Sequence, residues 1–304
     1  MEALIDPVDF RKVEEELKNE KFLRVSRMGN NEIYVVNGIN SPNTMNEIGR
    51  LREFTFRHAG GGTGASKDID QFDIKKNGYK QLIVFNPHSK CILGGYRFRS
   101  FDKDIKIDRN QLATGEVYKL SEEFQNEYLQ HSIDLGRAFI KPIFQTKQKR
   151  KSLYILDNLW DGLGALINQK SKYFLGRIVL YPQMAKKIRD LIFYFLEKHF
   201  NLGNNLLSPK TPFHPEMAKQ QMEQLLDEKN PEGDFKNLRQ ITLAAGEAIP
   251  PLIQAYMKLS PTMQSFGATI DTSFGNLYEI CIMVTIQDIY PKYLKRYSVI
   301  MDQF

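Results

Sequence analysis

The sequence of 304 residues is poor in cysteine, with only Cys91 and Cys281, which lie far apart in apolar surroundings. A disulfide framework or a structural zinc site needs cysteines or histidines at short characteristic spacings, and no CxxC or His/Cys ligand spacing occurs. Both thiols are therefore expected to be reduced and to lie in the core of a cytoplasmic protein. We predict no metal site.

Long apolar runs are also missing, because no stretch approaches the roughly 20 residues that a bilayer-spanning helix needs. The N-terminal part, Met1–Glu20, is acidic and amphipathic, without the basic start and apolar run of a signal peptide. The net charge of +6 favours an anionic partner, but the basic residues do not gather in one arm. We therefore expect no nucleic acid, and name an inner-membrane surface as one candidate partner.

What the sequence does contain is a mixture of hairpin strands and amphipathic helices. Pro87–Lys90 joins two strand patterns, and an apolar stripe marks a helix at Met184–Phe200. This order predicts an α/β (α+β) fold, with a mixed sheet and helices on both faces. We expect one compact domain, in which residues 1–200 form the core, 201–237 an insertion or lid, and 238–304 the part that completes the sheet.

The stretch Ser132–Pro142 has the pattern of a buried strand, yet it holds Asp134 and Arg137. Burying two charges is costly unless they pair or serve a site. On a regular strand the two side chains would point to opposite faces, and a bulge at Gly136 would bring them to the same side. Two interpretations stay open: a pair in an active site, or an ion pair that only fixes the strand.

A cationic segment, Gln145–Lys151, follows this strand and leads into a helix that the pattern starts near Ser152. A strand, a cationic loop and a helix N-terminus together suit a phosphate group. The alternative, which is common for such runs, is a solvated loop without a ligand.

The glycine-rich loop Gly60–Gly64 lacks the lysine of a phosphate-binding loop and follows a helix, so nucleotide binding is not expected there. We interpret it as a mobile hinge beside an acceptor pocket. Asp70 and Asp73 follow at a spacing of one helical turn, which suits either an ammonium-binding pair or a solvated turn or helix N-cap. The His-x4-Asp spacing of glycerolipid-type acyltransferases is absent at all five histidines.

Four short motifs then follow one another along the chain: Arg52-Glu53-Phe54-Thr55-Phe56, the pair Asp70 and Asp73, Gly94-Gly95-Tyr96-Arg97, and Asp134-Leu135-Gly136-Arg137. In this order they resemble the acyl-homoserine lactone synthase and ornithine N-acyltransferase branch of the GNAT superfamily. Three later stretches are similar to hemolysin-like, lipid-forming N-acyltransferases that act on ornithine or glycine: Leu159–Leu163, Tyr173–Arg177 and Ile249–Tyr256. The resemblance covers about Ile33 to Arg296.

The resemblance implies a GNAT-like fold, with a mostly antiparallel twisted sheet and a bulged central strand. It implies transfer of a long-chain fatty acyl group, with a 3-hydroxylated chain as one option, to the amine of ornithine or glycine in aminolipid biosynthesis. The donor substrate would be acyl carrier protein loaded with the chain, or acyl-CoA, without a tightly bound cofactor. Two departures are Asp134 in place of the usual glutamate, and Lys147–Lys151 in place of a glycine-rich pyrophosphate loop, which favours acyl carrier protein.

Candidate roles follow from the resemblance. Asp134 and Arg137 are the catalytic candidates, with Asp134 as the base that deprotonates the amine. The candidates for acceptor binding are Arg52, Asp70, Asp73 and Arg97, although Arg52 could simply line a helix surface. The donor is expected to meet the backbone N–H groups and the cations at Gly136, Ala138, Phe139, Lys147, Lys149, Arg150 and Lys151. The acyl-pocket candidates, which could equally be core residues, are Phe56, Tyr96 and Trp160.

Two other functions remain as alternatives. A signal synthase acting on S-adenosylmethionine is disfavoured, because the C-terminal part extends beyond the usual synthase length. A non-catalytic GNAT-fold module that binds acyl carrier protein or a membrane surface stays open, because Asp134 replaces the glutamate and the loop glycines are missing.

Overall fold

The computed structural model describes residues 1–101, 112–146, 149–168 and 170–297, with the side chains of 145, 146 and 149–152 left out. The predicted donor-binding residue Lys147 lies outside the described residues, as do the side chains of Lys149, Arg150 and Lys151. Within the described ranges, no helix has both the length and the apolar character that crossing a membrane requires.

Strands and helices alternate irregularly along the chain. The strands are β1 Phe22–Val25, β2 Glu32–Val36, β3 Lys80–Asn86, β4 Cys91–Ser100, β5 Tyr118–Leu120, β6 Ser132–Ile140, β7 Tyr173–Leu180, β8 Leu207–Pro209, β9 Gln264–Asp271 and β10 Leu277–Thr285. The helices are α1 Phe10–Glu16, α2 Pro42–His58, α3 Gln71–Ile74, α4 Thr114–Val117, α5 Pro142–Thr146, α6 Lys149–Leu166, α7 Lys186–Phe200, α8 Lys219–Leu225, α9 Pro231–Ala244, α10 Pro251–Met257 and α11 Pro291–Tyr297.

The chain forms two compact units. The first comprises Met1–Ala113, His131–Ser171 and Pro291–Phe304, and the second comprises Thr114–Gln130 and Lys172–Tyr290. The boundaries expected after residues 200 and 237 stay a prediction.

In the first unit the strands lie in the order β1-β2-β3-β4-β6, and each neighbouring pair is antiparallel. Pro87–Lys90 turns between β3 and β4 as the sequence predicts. Lys90 adopts the left-handed backbone conformation, with φ of 49°, in this turn. The mixed fold with a mostly antiparallel sheet is confirmed.

The two faces of these strands differ in chemistry. Because side chains alternate along a strand, Tyr96 and Phe98 point to an apolar face and Arg97 to a polar one. Helix α6 packs on the apolar face of β3 and β4. There Gly162 lies so close to Leu82 that an added Cβ would come within 2.7 Å of a leucine methyl group. Helix α2 lies over the polar face, so helices cover both faces as predicted.

Helix α2 begins at Pro42. Proline fits the first turn of a helix because its missing N–H would have no partner there. Glu16 accepts the free N–H groups of Asn43 (2.9 Å) and Thr44 (2.7 Å). A distant carboxylate thus caps this helix, which no local pattern could reveal.

In the second unit β10 pairs with β7 on one side and with β9 on the other, both antiparallel, and β5 pairs with β8. The buried hydroxyl of Tyr118 donates to the carbonyl of Gly267 (2.8 Å) and accepts the N–H of Cys281 (2.9 Å). The predicted stripe of α7 is buried in this unit: Ile188, Leu191, Ile192, Phe195 and Leu196.

The segment after β6 differs from the predicted loop. Helix α5 begins directly at Pro142, and α6 begins at Lys149, before the predicted start near Ser152. Lysine, arginine and glutamine favour helices, and neither glycine nor proline stands between Ile143 and Asp161 to stop one. The lysine-rich stretch that the sequence predicts as a loop therefore includes the first turn of helix α6.

In the polar stretch from His214 to Glu228, only the short helix α8 forms. Asp190 accepts the N–H groups of Glu216 (2.8 Å) and Met217 (3.0 Å). These bonds to a buried carboxylate hold the preceding residues outside the helix.

Candidate active site

A bulge interrupts β6 at the polar face. The register of β4 against β6 shifts beside Gly136, where β6 has one more residue than β4 between paired positions. Arg137 lies in this bulge with a left-handed backbone conformation, φ 49°. The extra residue changes the alternation of side chains, so Arg137 reaches the face that also carries Asp134. The bulge predicted at Gly136 is confirmed.

A buried ion-pair network occupies this face, with Arg52 of α2 at its centre. The Nε of Arg52 donates to Asp68 (2.9 Å), and its two Nη atoms donate to the two carboxylate oxygens of Asp73 (3.2 Å each). Gln81 on β3 also donates to Asp73 (2.8 Å). The side chains of all three charged residues are inaccessible to solvent. The network therefore joins α2, the loop before α3, and the sheet.

The outer edge of the network is formed by Asp70 and Arg137. Arg97 on β4 is bonded to Asp70 and lies 3.6 Å from a carboxylate oxygen of Asp73. The Nε of Arg137 lies 3.1 Å from Asp68, and its Nη2 lies 3.8 Å from Asp70. The side chain of Asp70 is 26% exposed and that of Arg137 is 13% exposed. A small molecule could reach this edge, whereas the inner ion pairs are closed to it.

Asp134 lies on the same face and is held by Tyr79. The Tyr79 hydroxyl donates to Asp134 and accepts the N–H of Ala113 (2.9 Å). The tyrosine ring also packs 5.1 Å from the guanidinium carbon of Arg97. Burial and the nearby Asp134 carboxylate raise the pKa of Tyr79 well above 10.0, so the hydroxyl stays protonated and keeps donating.

The arginines of the network determine the ionisation of its buried aspartates. Burial opposes ionisation of Asp68, but the guanidinium groups of Arg137 and Arg52 outweigh it and lower the pKa of Asp68 below 3.8. Burial likewise opposes the charge of Asp73, whose pKa is lowered by Arg52 and Arg97. Both aspartates are therefore anions at neutral pH, each matched by guanidinium groups.

The glycine-rich loop is fastened to α2 through Glu53. The fully buried Glu53 carboxylate accepts the N–H (2.9 Å) and the hydroxyl (2.8 Å) of Thr63, the N–H of Gly64 (2.8 Å) and the Nε of Arg57 (2.7 Å). Gly62 has a positive φ of 100° in this loop. These bonds argue against the freely mobile hinge that the glycines suggested.

Comparison with known proteins now identifies the chain. Residues 51–154 match the family described as Acetyltransferase (GNAT) domain. Over 295 residues, the chain is 43% identical to the glycine N(alpha)-acyltransferase of Phocaeicola vulgatus, an overlap of 95% of this chain and 90% of that protein. The chain belongs to the GNAT-superfamily N-acyltransferases. The glycine N(alpha)-acyltransferase of Bacteroides thetaiotaomicron is also 43% identical over 295 residues, covering 95% of this chain and 87% of that protein. No solved structure matches the chain significantly.

The predicted acceptor-binding residues of this amino-acid N-acyltransferase lie together in the network. Arg52 does not line a helix surface, because it is fully buried between Asp68 and Asp73. Asp70 and Asp73 also form a capping box at the start of α3, so the N-cap interpretation and the ion pairs hold at the same time. Their part in acceptor binding stays a prediction.

The donor and acyl-pocket candidates are less concentrated. Ala138 and Phe139 lie in or beside the bulge, next to Gly136, where the predicted donor amides belong. Phe56 is buried on α2, over the polar face, whereas Tyr96 and Trp160 are buried on the α6 side. The three acyl-pocket candidates therefore divide between two faces of the sheet.

Within the described ranges, no group of His, Cys, Asp and Glu side chains is placed to hold a metal.

Three residues of the site were not singled out from the sequence: Asp68, Tyr79 and Gln81. Asp68 stands two residues before Asp70, and nothing in the local sequence distinguishes it as a site residue. Gln81 pairs with Arg97 only beyond a register shift between Val84 and Phe85, so the hairpin turn alone would have paired it with Tyr96. Tyr79 precedes β3 and contacts Asp134 across 55 positions of the chain, a contact without any local signal.

Proposed function

We propose that this protein is a glycine N-acyltransferase. It would transfer a long-chain fatty acyl group from the thioester of acyl carrier protein to the amine of glycine, which gives a lyso-aminolipid. The carbon–sulfur bond of the thioester breaks, the amide bond forms, and the thiol of the carrier leaves with a proton. The observation that carries the proposal is the 43% identity, over 95% of the chain, to two relatives named for glycine acylation.

The outer edge of the network suits the acceptor. Glycine carries one ammonium and one carboxylate group, and Asp70 and Arg137 present the opposite charges at partly exposed positions. Their Nη2–Oδ2 separation of 3.8 Å is longer than a hydrogen bond. A glycine molecule could therefore bind with its ammonium at Asp70 and its carboxylate at Arg137, which can donate two parallel hydrogen bonds. Neither residue would need to leave its inner partner.

The charge balance of the network favours glycine over ornithine. Three aspartates, at 68, 70 and 73, stand against three arginines, at 52, 97 and 137. Asp134 accepts the Tyr79 hydroxyl with one oxygen and is our candidate for the base at the attacking amine, so it is not a further partner for a second ammonium group. The second ammonium group of ornithine would need a further carboxylate, and the network offers none in excess. Burying that ammonium without a partner would be strongly unfavourable.

The bulged strand would supply the remaining catalytic functions. Backbone N–H groups between Gly136 and Phe139 are our candidates for polarising the thioester carbonyl as negative charge develops on its oxygen. Asp134 is our candidate for the base that takes the ammonium proton before the amine attacks. Tyr79 would hold the Asp134 carboxylate in one orientation, since its hydroxyl remains protonated.

The choice of acyl carrier protein as donor rests on charge. The segment from Lys141 to Tyr154 contains Lys141, Lys147, Lys149, Arg150 and Lys151 and has no acidic residue. Such a cationic segment at the end of β6 complements an acidic carrier protein and the phosphate of its prosthetic arm.

The test is an incubation of the purified protein with one fatty acyl chain, supplied either on acyl carrier protein or on CoA. Glycine, alanine, serine and ornithine are offered together, and the products are identified by mass spectrometry. N-Acylglycine formed from the carrier protein is the expected product. Acylation of ornithine alone would refute the glycine assignment, and equal rates with CoA would refute the donor assignment.

A matched pair of variants tests the acceptor position. Arg137→Lys should raise the KM for glycine more than it lowers kcat, because lysine keeps the charge but loses the two-pronged geometry. Arg11→Lys changes an exposed arginine paired with Asp9 and serves as the control, with unchanged kinetics expected. An unaltered KM for glycine in Arg137→Lys would place the acceptor elsewhere.

A further inference from the structure

A basic surface of the first unit lies apart from the catalytic residues. It consists of the turn Arg27–Asn30, which joins β1 to β2, together with helix α11, and we call it the α11 surface. Arg27 lies in the turn, and α11 adds Lys292, Lys295 and Arg296. Neither the turn nor α11 contains an aspartate or a glutamate. Helix α11 has no buried residue, so its cations are presented to solvent.

Helix α6 holds both parts of the α11 surface in place. The carboxylate of Asp161 accepts the N–H of Arg27 (2.8 Å), and the amide of Asn158 donates to the carbonyl of Met28 (2.9 Å). Asp157, in the preceding turn of α6, accepts bonds from Arg296 (2.8 Å) and from the Tyr297 hydroxyl (2.6 Å). Three neighbouring positions of one helix thus fix the turn and α11 beside each other.

The turn and α11 also contact each other directly. The guanidinium of Arg27 donates to the carbonyl of Lys295 (3.5 Å), and that of Arg296 lies 4.0 Å from the sulfur of Met28. Arg27 and Arg296 each keep nearly half of their side chain exposed, at 43% and 46%. Asp161 and Asp157 therefore offset only part of the positive charge that Arg27 and Arg296 present to solvent.

Exposed apolar side chains stand among these cations. Met28 is 37% exposed at the tip of the turn. Leu153 is 58% exposed and lies one helical turn before Asp157 on the same side of α6. Two half-buried tyrosines of α11, Tyr293 and Tyr297, add amphipathic rings of the kind that collect at membrane interfaces. Cations around a few apolar and tyrosine side chains are typical of a surface that rests on lipid.

We propose that the α11 surface binds the face of an anionic lipid bilayer, with Met28 and Leu153 entering the headgroup region. The proposal rests on the proposed function only for the reason why the protein would bind lipid, because an acylated amino acid is an amphiphile that must reach a membrane. The binding itself follows from charge and exposure. Lysine and arginine near an anionic surface attract it over about one Debye length, and the apolar side chains add burial from water.

An acidic protein is the other class of partner that cations attract, and two features favour the bilayer. The cations surround apolar groups instead of presenting ion-pairing partners in a groove, and a lipid surface accepts both kinds of group at once. Apart from Leu153, the surface is held at Asp157 to Asp161, about 9 Å or more along α6 from Lys151 by the rise per residue, whereas the predicted donor contacts gather at residues 149–151. A carrier protein that delivers the thioester has no need to cover it.

The first experiment measures co-sedimentation of the full chain with vesicles of phosphatidylcholine, with and without phosphatidylglycerol. Binding that needs the anionic lipid and falls as salt rises is expected. The double variant Lys292→Gln/Lys295→Gln should lose roughly 5-fold in partitioning for each lysine. The control Lys187→Gln/Lys236→Gln removes the same charge from exposed positions of the second unit and should bind as the parent does. Equal losses in both double variants, or no binding by the parent, would overturn the proposal.

The second experiment tests insertion. The chain has one tryptophan, the buried Trp160, so Met28→Trp adds a reporter at the tip of the turn. A blue shift of its emission and quenching by brominated lipid are expected in anionic vesicles. An emission that is unchanged by vesicles but shifted by acyl carrier protein would assign the surface to the carrier and overturn the bilayer. Both experiments are independent of turnover, so N-acylation in solution can succeed while lipid binding fails, and the reverse.

Discussion

The strands β3, β4 and β6 present two faces that differ in almost every physical respect. On the α6 face, Leu82, Tyr96 and Phe98 are buried among apolar neighbours, and Gly162 allows the helix to approach closely. On the α2 face, buried arginines and aspartates are paired across three elements. The same backbone therefore supports a hydrophobic core on one side and a charged network on the other.

This difference separates two tasks. Apolar burial contributes stability in proportion to area and tolerates small changes of shape. A buried charged network contributes little net stability compared with apolar packing, but removing one partner leaves a charge without compensation. Apart from the acyl-pocket candidates Tyr96 and Trp160, substitutions on the α6 face should therefore change folding alone, whereas those on the α2 face should change activity as well.

The largest effect is expected from Asp134→Asn. The amide retains the shape of the carboxylate and can still accept the Tyr79 hydroxyl, but it cannot take a proton from the amine. Loss of a general base lowers rates by about 10²–10⁴-fold, so kcat should fall in this range while the melting temperature changes little. Steady-state kinetics and thermal unfolding of the same preparation check this. Full activity would reduce Asp134 to a structural residue.

Arg97→Ala should break the network itself. Its removal leaves Asp70 and Asp73 without one guanidinium in a buried setting, which costs about 3–5 kcal/mol when a buried pair is broken. The free energy of unfolding in urea measures the loss, and activity should fall with it. Arg97→Lys is the matched control: it keeps the charge and should recover part of the stability, but not the full activity.

The pH dependence of stability should report the lowered pKa values of Asp68 and Asp73. A carboxylate whose pKa is lower in the folded state stabilises the fold above its unfolded pKa of 3.8, and this contribution is lost as the pH falls through the folded value. The free energy of unfolding should thus decrease steeply in this acid range. Urea unfolding between about pH 5 and pH 2 should show a shallower decrease for Asp68→Asn, with a slope that differs from that of the parent by no more than about one bound proton.

The smallest effect is expected from Ile133→Val, next to Asp134 on the same strand but pointing to the α6 face. Ile133 is fully buried, and the loss of one methyl group costs about 0.5–1.5 kcal/mol. Its kcat and KM should equal those of the parent. A clear loss of kcat here would show that the two faces are coupled more closely than their chemistry suggests.

The sequence was informative where a local pattern controls the outcome. Side-chain alternation along β4 is enough to place Tyr96 and Arg97 on opposite faces, and the conflict of two charges inside an apolar strand pointed to the bulge of β6. The family resemblance is confirmed by the comparisons, whereas the roles that it implies for the site residues stay predictions. Glycine as the acceptor and acyl carrier protein as the donor remain proposals.

The sequence was uninformative where a contact joins distant segments. Glu16 caps α2, Tyr79 holds Asp134, and Asp190 prevents a helix at Glu216. Each depends on a side chain that reaches another element, and propensity carries no signal for such contacts. The basic segment shows a related error: its composition suggested a phosphate-binding loop, whereas lysine and arginine are also good helix formers.

The left-handed backbone at Arg137 has a consequence for how this position can change. Glycine or asparagine would relax the main chain, which an ordinary side chain strains by roughly 1–2 kcal/mol, but neither carries a cation. Lysine keeps the cation and retains the strain, with a single point charge in place of a planar fork. No natural amino acid satisfies both demands better than arginine, and without its guanidinium the buried Asp68 would lose one of its two charge partners. A library of variants at this one position should therefore return arginine whether selection acts on catalysis or on folding.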